Sequence, residues 1–122
     1  MNWPAVIAGV IGAFVLGFVV YGPLFRLQRR WAEGSHISPD PPAQMPLGAM
    51  AAQILALSLL ALIIGLTETT QNLNLALLAI LAVAAQSLSV GAWAQKSRFA
   101  ITVDVGYALG AGAVMILAQG LL

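Results

Sequence analysis

Hydrophobic residues fall into four long blocks, at about residues 4–21, 46–66, 73–93 and 99–121, with short polar stretches between them. Each block is close to or above the ~20 apolar residues that a helix needs to cross a bilayer. None alternates with period two, and all are too long for the strands of a membrane barrel. The pattern predicts an all-α fold: an integral membrane four-transmembrane-helix bundle forming one domain over residues 1–122.

The polar punctuation sets the ends. Trp3 and Tyr21 bracket the first block, as aromatic residues do at the two membrane interfaces. Asn2 is placed to cap that helix, and Pro4 suits its first turn. Within it, Gly9, Ala13 and Gly17 recur every four residues, a small-residue stripe expected to pack on another helix. Gly22-Pro23 ends or bends the helix. Residues 24–45 predict an interfacial turn of helix carrying Arg26, Arg29, Arg30 and Trp31, then an irregular loop with Pro39, Pro41 and Pro42. Pro46 starts the second span, and Thr67 to Asn72 leaves room only for a tight helical hairpin.

Composition agrees with this reading. The chain is 61% hydrophobic and 7% charged, against about 25% charged in soluble domains. The first apolar block has no basic residues before it, so it reads as a lasting span rather than a secretory signal. There is no cysteine, and the single histidine, His36, cannot build a metal site alone and is expected to be solvated. A net charge of +1 offers no basic surface for nucleic acid.

Charge placement orients the spans. Arg26, Arg29 and Arg30 lie in the first connection, Lys96 and Arg98 in the third, and no lysine or arginine lies elsewhere. The positive-inside rule then puts these two connections in the cytoplasm and both termini outside. The three arginines also suit anionic lipid headgroups, although setting topology is a sufficient reason for them.

One carboxylate, Asp104, lies in the fourth block, about 8 Å inside its start at 1.5 Å per residue. Such a group is costly in a membrane and usually faces protein or water. Gln53 and Gln86 reach similar depths on the second and third spans, and Tyr107 follows Asp104 by one turn. These four residues predict a polar cluster, with Asp104 pointing toward Tyr107 and toward Gln53 or Gln86. Pairing of Asp104 with Lys96 or Arg98 is the alternative. Interhelical hydrogen bonding alone would account for the glutamines, at an average of about 0.6 kcal/mol per contact. Gly106 and Gly110 have the spacing of a close helix–helix crossing. No nucleophile–base pair, phosphate loop or metal cluster is visible.

The opening Asn2-Trp3-x-Ala5, Ala13-Phe14-Val15-x-Gly17 and Tyr21-Gly22-Pro23-Leu24, with the closing Ile101-x-x-Asp104-x-Gly106-Tyr107-x-Leu109, resembles a family of small bacterial membrane proteins catalogued only as a domain of unknown function. Val20 and Asp104 stand where that family often has Trp and Asn. The resemblance implies the same four-helix plan and brings no activity, cofactor or substrate.

The expected function is non-catalytic: a small protein of the bacterial inner membrane that packs helix to helix, as an accessory or assembly subunit of itself or of a larger membrane complex. Its expected partners are membrane lipids and other transmembrane helices, with no cofactor, no metal and no nucleic acid. The alternative is a small homo-oligomeric transporter or channel with a polar path near Asp104.

Overall fold

Alternation of apolar and polar stretches becomes five helices in the computed structural model, which describes residues 1–21, 27–37 and 47–122. They are α1 (Trp3–Tyr21), α2 (Leu27–Gly34), α3 (Leu47–Thr69), α4 (Leu73–Trp93) and α5 (Arg98–Leu121), with no strand among the described residues. All but α2 are long and apolar enough to cross a membrane. Gly22, Pro23, Arg26 and the prolines at 39, 41, 42 and 46 lie outside the described residues.

Local chemistry sets the boundaries. Asn2 Oδ1 accepts from the Ala5 amide at 3.2 Å, Asn72 Oδ1 from Leu75 at 3.3 Å and Ser97 Oγ from Ala100 at 3.1 Å. Each satisfies an amide that the first helical turn would leave open. Helix α3 runs three residues beyond the expected end at Leu66. Apolarity stops there but helix formation does not, because the Thr67 and Thr69 hydroxyls fold back to donate to the Ile64 and Leu66 carbonyls. The turn to α4 is correspondingly shorter, with Gln71 at a φ of 55°.

Helix α5 is the hub and touches every other helix. It runs antiparallel to α1, with Gly9 against Met115 and Gly17 against Tyr107. It also runs antiparallel to α4, with Gly112 against Ile80 and Gly91 against Ile101. Helix α3 closes the other side against α1 and α4. A methyl group built on Gly112 would lie 2.5 Å from Ile80 Cγ1, and one on Gly9 would lie 3.3 Å from Met115 Cα. These glycines let backbone approach side chain more closely than alanine would, the usual device of membrane helix seams.

The bundle has two unlike ends. Both termini and the α3–α4 turn share one, here the hairpin end. The C-terminal end of α1, helix α2 and the α4–α5 connection share the other, the basic end. Core residues Val6, Leu60, Ile64, Ala76, Ile80 and Met115 concentrate toward the hairpin end. Helix α3 has no buried residue before Leu57, so its first ten residues do not pack into the core.

Candidate functional site

Helix α2 builds the basic end. It is amphipathic: Ala32 is buried, Trp31 is half-buried, and Arg29 and Glu33 face outward, paired at 3.2 Å. The backbone fastens it to the α4–α5 connection. The Ser97 amide donates to the Gly34 carbonyl at 2.9 Å, and the His36 ring Nε2 lies 2.7 Å from the Gln95 carbonyl. His36 is therefore exposed but held, not merely solvated. A Cβ on Gly34 would collide with Ser97 Oγ, so the two backbones meet only because Gly34 has no side chain. Arg30 lies over the Phe99 ring, 4.1 Å from its centroid.

This docking brings the Trp31 indole over the start of α5. Three donors converge on the Asp104 carboxylate. The Tyr21 hydroxyl donates to Oδ1 at 2.7 Å, Trp31 Nε1 to Oδ1 at 2.8 Å, and Lys96 Nζ to Oδ2 at 2.9 Å. The Lys96 and Asp104 side chains are only 20% and 15% exposed, so the ion pair is largely withdrawn from solvent. One carboxylate thus ties α1, α2 and the α4–α5 connection to α5. Charge-assisted bonds of this kind are about twice as strong as neutral ones.

A second network lies one turn deeper. The Tyr107 hydroxyl donates to the Ala13 carbonyl at 2.8 Å and accepts from Gln53 Nε2 at 3.0 Å. Gly17 clears the way: a Cβ there would stand 3.3 Å from that hydroxyl. The Tyr21 and Tyr107 rings pack edge to face at 5.4 Å, linking the two networks through aromatic contact.

The expected cluster of Asp104, Tyr107, Gln53 and Gln86 is therefore rearranged. Tyr107 and Gln53 bond to each other, but Asp104 bonds to neither. Three residues on a helix leave the two side chains about 60° apart, so Asp104 reaches α2 while the long Tyr107 side chain reaches inward to α1 and α3. Gln86 is exposed and makes no hydrogen bond to another described residue, because open space separates α4 from α3 at this level. Of the packing residues, Gly9, Ala13 and Gly17 line the α1–α5 seam, with Ala13 0% exposed. Gly110 faces Leu16, but Gly106 has nothing within 4 Å of a built Cβ. Gly106 is exposed and lies off the α1–α5 seam, which at this level is made by the Tyr21 and Tyr107 rings. Arg29 and Arg30 are exposed at the basic end and Arg26 lies outside the described residues. Trp31 carries a role that its sequence context did not disclose. The available signal was an indole N–H on a short amphipathic helix, needing an acceptor once one face docks.

A cavity of about 840 Å³ opens between α3 and the wall formed by α1, α4 and α5. Gln28, Trp31, Lys96 and Asp104 line its mouth, Gln53, Gln86, Ser87 and Tyr107 its middle, and Phe14, Leu57, Leu60 and Ala111 its floor. Among the described residues no group of histidine, cysteine, aspartate or glutamate is arranged to hold a metal.

No curated protein and no solved structure matches the chain. A family match covers residues 4–120, from Pro4 in the first turn of α1 to Gly120 in the last turn of α5, and so spans both the α1–α5 seam and the polar end. On that extent the chain belongs to the family described as Protein of unknown function (DUF1761).

Proposed function

We propose that this is a non-catalytic membrane protein that works by helix packing, as an accessory or assembly subunit of itself or of a larger complex in a bacterial inner membrane. The observation that carries the reading is the state of Asp104. Its carboxylate is consumed by three protein donors, which is how a structural tie is built rather than a proton relay or a reactive acid. The basic end faces the cytoplasm in this reading and both termini face the periplasm, since every lysine and arginine lies in the first or third connection of the sequence.

The transport alternative draws on the cavity, whose lining includes Asp104. Beyond Leu60 and Ala111, however, the next turns bring buried Ile64 and Met115, which favours a closed pocket over a path. Native mass spectrometry after mild extraction tests the main reading, which expects a homo-oligomer or a defined complex. A 12.7 kDa monomer that carries protons or ions across liposomes would overturn it. A C-terminal reporter active only in the cytoplasm should stay silent, and activity would reverse the orientation.

A further inference from the structure

We infer that the cavity at the basic end is a binding site for an uncharged single-chain amphiphile, with a hydroxyl, ester or amide head and one hydrocarbon chain. The inference is independent of whether the protein assembles with others. The lining is graded along one direction. The floor, with Phe14, Leu57, Leu60 and Ala111, is apolar and suits a chain. The middle holds Gln53, Gln86 and Ser87. The size, about 840 Å³, falls within the ~300–1,000 Å³ of ordinary small-molecule sites.

Unspent hydrogen bonding in the middle zone calls for a polar head. Gln53 uses its amide nitrogen on Tyr107, and its carbonyl oxygen has no partner among the described residues. Gln86 and Ser87 make no side-chain hydrogen bond to another described residue. All three lie on helices of membrane-spanning length, where water is scarce and an unpaired amide is costly. Ordinary lipid tails leave that cost in place. A head that both donates and accepts removes it.

Charge selects the kind of head. Among the described residues, the charged side chains that line the cavity are Lys96 and Asp104, and they neutralise each other at 2.9 Å. A carboxylate or ammonium entering here would either lack a counter-charge or break that pair, and both are unfavourable in a low dielectric. Arg30 does not help an anionic head, because its guanidinium is turned onto the Phe99 ring. Hydroxyl, ester and amide groups meet no such penalty. Loss of α3 packing before Leu57 keeps the wall of the cavity free to admit a chain from the bilayer.

The test uses the full chain in phosphatidylcholine nanodiscs with a monoacylglycerol bearing a photoreactive group near the end of its chain. Labelling should map to Phe14, Leu57 or Leu60, and excess unlabelled monoacylglycerol should suppress it. The corresponding fatty acid at a pH where it is ionised, and a quaternary ammonium of equal chain length, should compete poorly. Gln86→Leu should weaken labelling about tenfold, the equivalent of one hydrogen bond to the head. Ala56→Trp, which fills the cavity from an exposed position on α3, should abolish it. Unchanged circular dichroism for both variants separates loss of the site from loss of the fold. Labelling confined to outward residues such as Leu77 and Leu81, labelling indifferent to both variants, or equal competition by the charged analogues would overturn the proposal.

Discussion

The hairpin end and the basic end hold the same four helices by different means. At the hairpin end the seams are made of small residues and branched side chains: Gly9 on Met115, Gly65 on Val6 and Gly112 on Ile80. Contact is close and mostly apolar. At the basic end Gly91 still meets Ile101 and Gly34 meets Ser97, but α1 and α2 are joined to α5 through tyrosine and tryptophan rings, with Asp104 as the common acceptor. The lesson is that hydrocarbon surroundings offer no hydrophobic drive between helices, so a membrane bundle must choose between close packing and polar ties. Packing leaves no space. Ties can span a gap, and a cavity exists where they do so. Gln53 crosses the cavity to Tyr107, while Gln86 faces the cavity unbonded among the described residues.

The largest way to break this contrast is Asp104→Leu. Lys96 would lose its counter-charge, and the Tyr21 and Trp31 donors their acceptor. The expected loss is on the order of 3 kcal/mol, as for removal of one partner of a withdrawn ion pair. Reversible unfolding in mixed micelles measures it. Asp104→Asn also strips Lys96 of its counter-charge but keeps an acceptor for Tyr21 and Trp31, so it should cost less than Asp104→Leu by about those hydrogen bonds. Equal damage from the two variants would mean that the charge, and not the set of bonds, holds the basic end.

Overpacking probes the other end. Ala13→Leu and Gly112→Ala should each cost about 1–3 kcal/mol, because neither seam has room for added atoms. A melting temperature in mild detergent identical to that of the unaltered protein would contradict the close seams. Tyr107→Phe comes next. It removes the hydroxyl shared by Ala13 and Gln53 while keeping the ring, and should cost about 1 kcal/mol. A double-mutant cycle with Gln53→Leu should then show coupling between the two positions. The smallest effect belongs to Gly106→Ala, which meets open space and should change stability by less than about 0.5 kcal/mol. A large loss there would restore Gly106 to a helix seam, within the bundle or between copies.

Much of the architecture was legible from residue order. Continuous apolar runs of spanning length admit only helices in a bilayer, since each backbone amide must find its partner within its own segment. The caps at Asn2, Asn72 and Ser97 are equally local, being set by side chains within three residues of the amides they serve. The α3 extension to Thr69 was missed because hydropathy marks where a helix leaves the apolar layer, not where it stops. Spacing alone also put Gly9, Ala13 and Gly17 on one face of α1.

Which groups meet across the bundle was decided only by the tertiary structure. Matching depths placed Asp104, Tyr107, Gln53 and Gln86 at one level, but depth along the normal leaves rotation about each helix and the gap between helices undetermined. The docking of α2 through Gly34 and Ser97 brought Trp31 to Asp104, 73 residues away along the chain. The splay of α3 left Gln86 facing a cavity instead of a partner. Periodicity and hydropathy follow from short-range backbone geometry and solvent, so sequence carries them. The pairing of distant polar side chains depends on how rigid helices settle against one another, and a few degrees of rotation changes every partner.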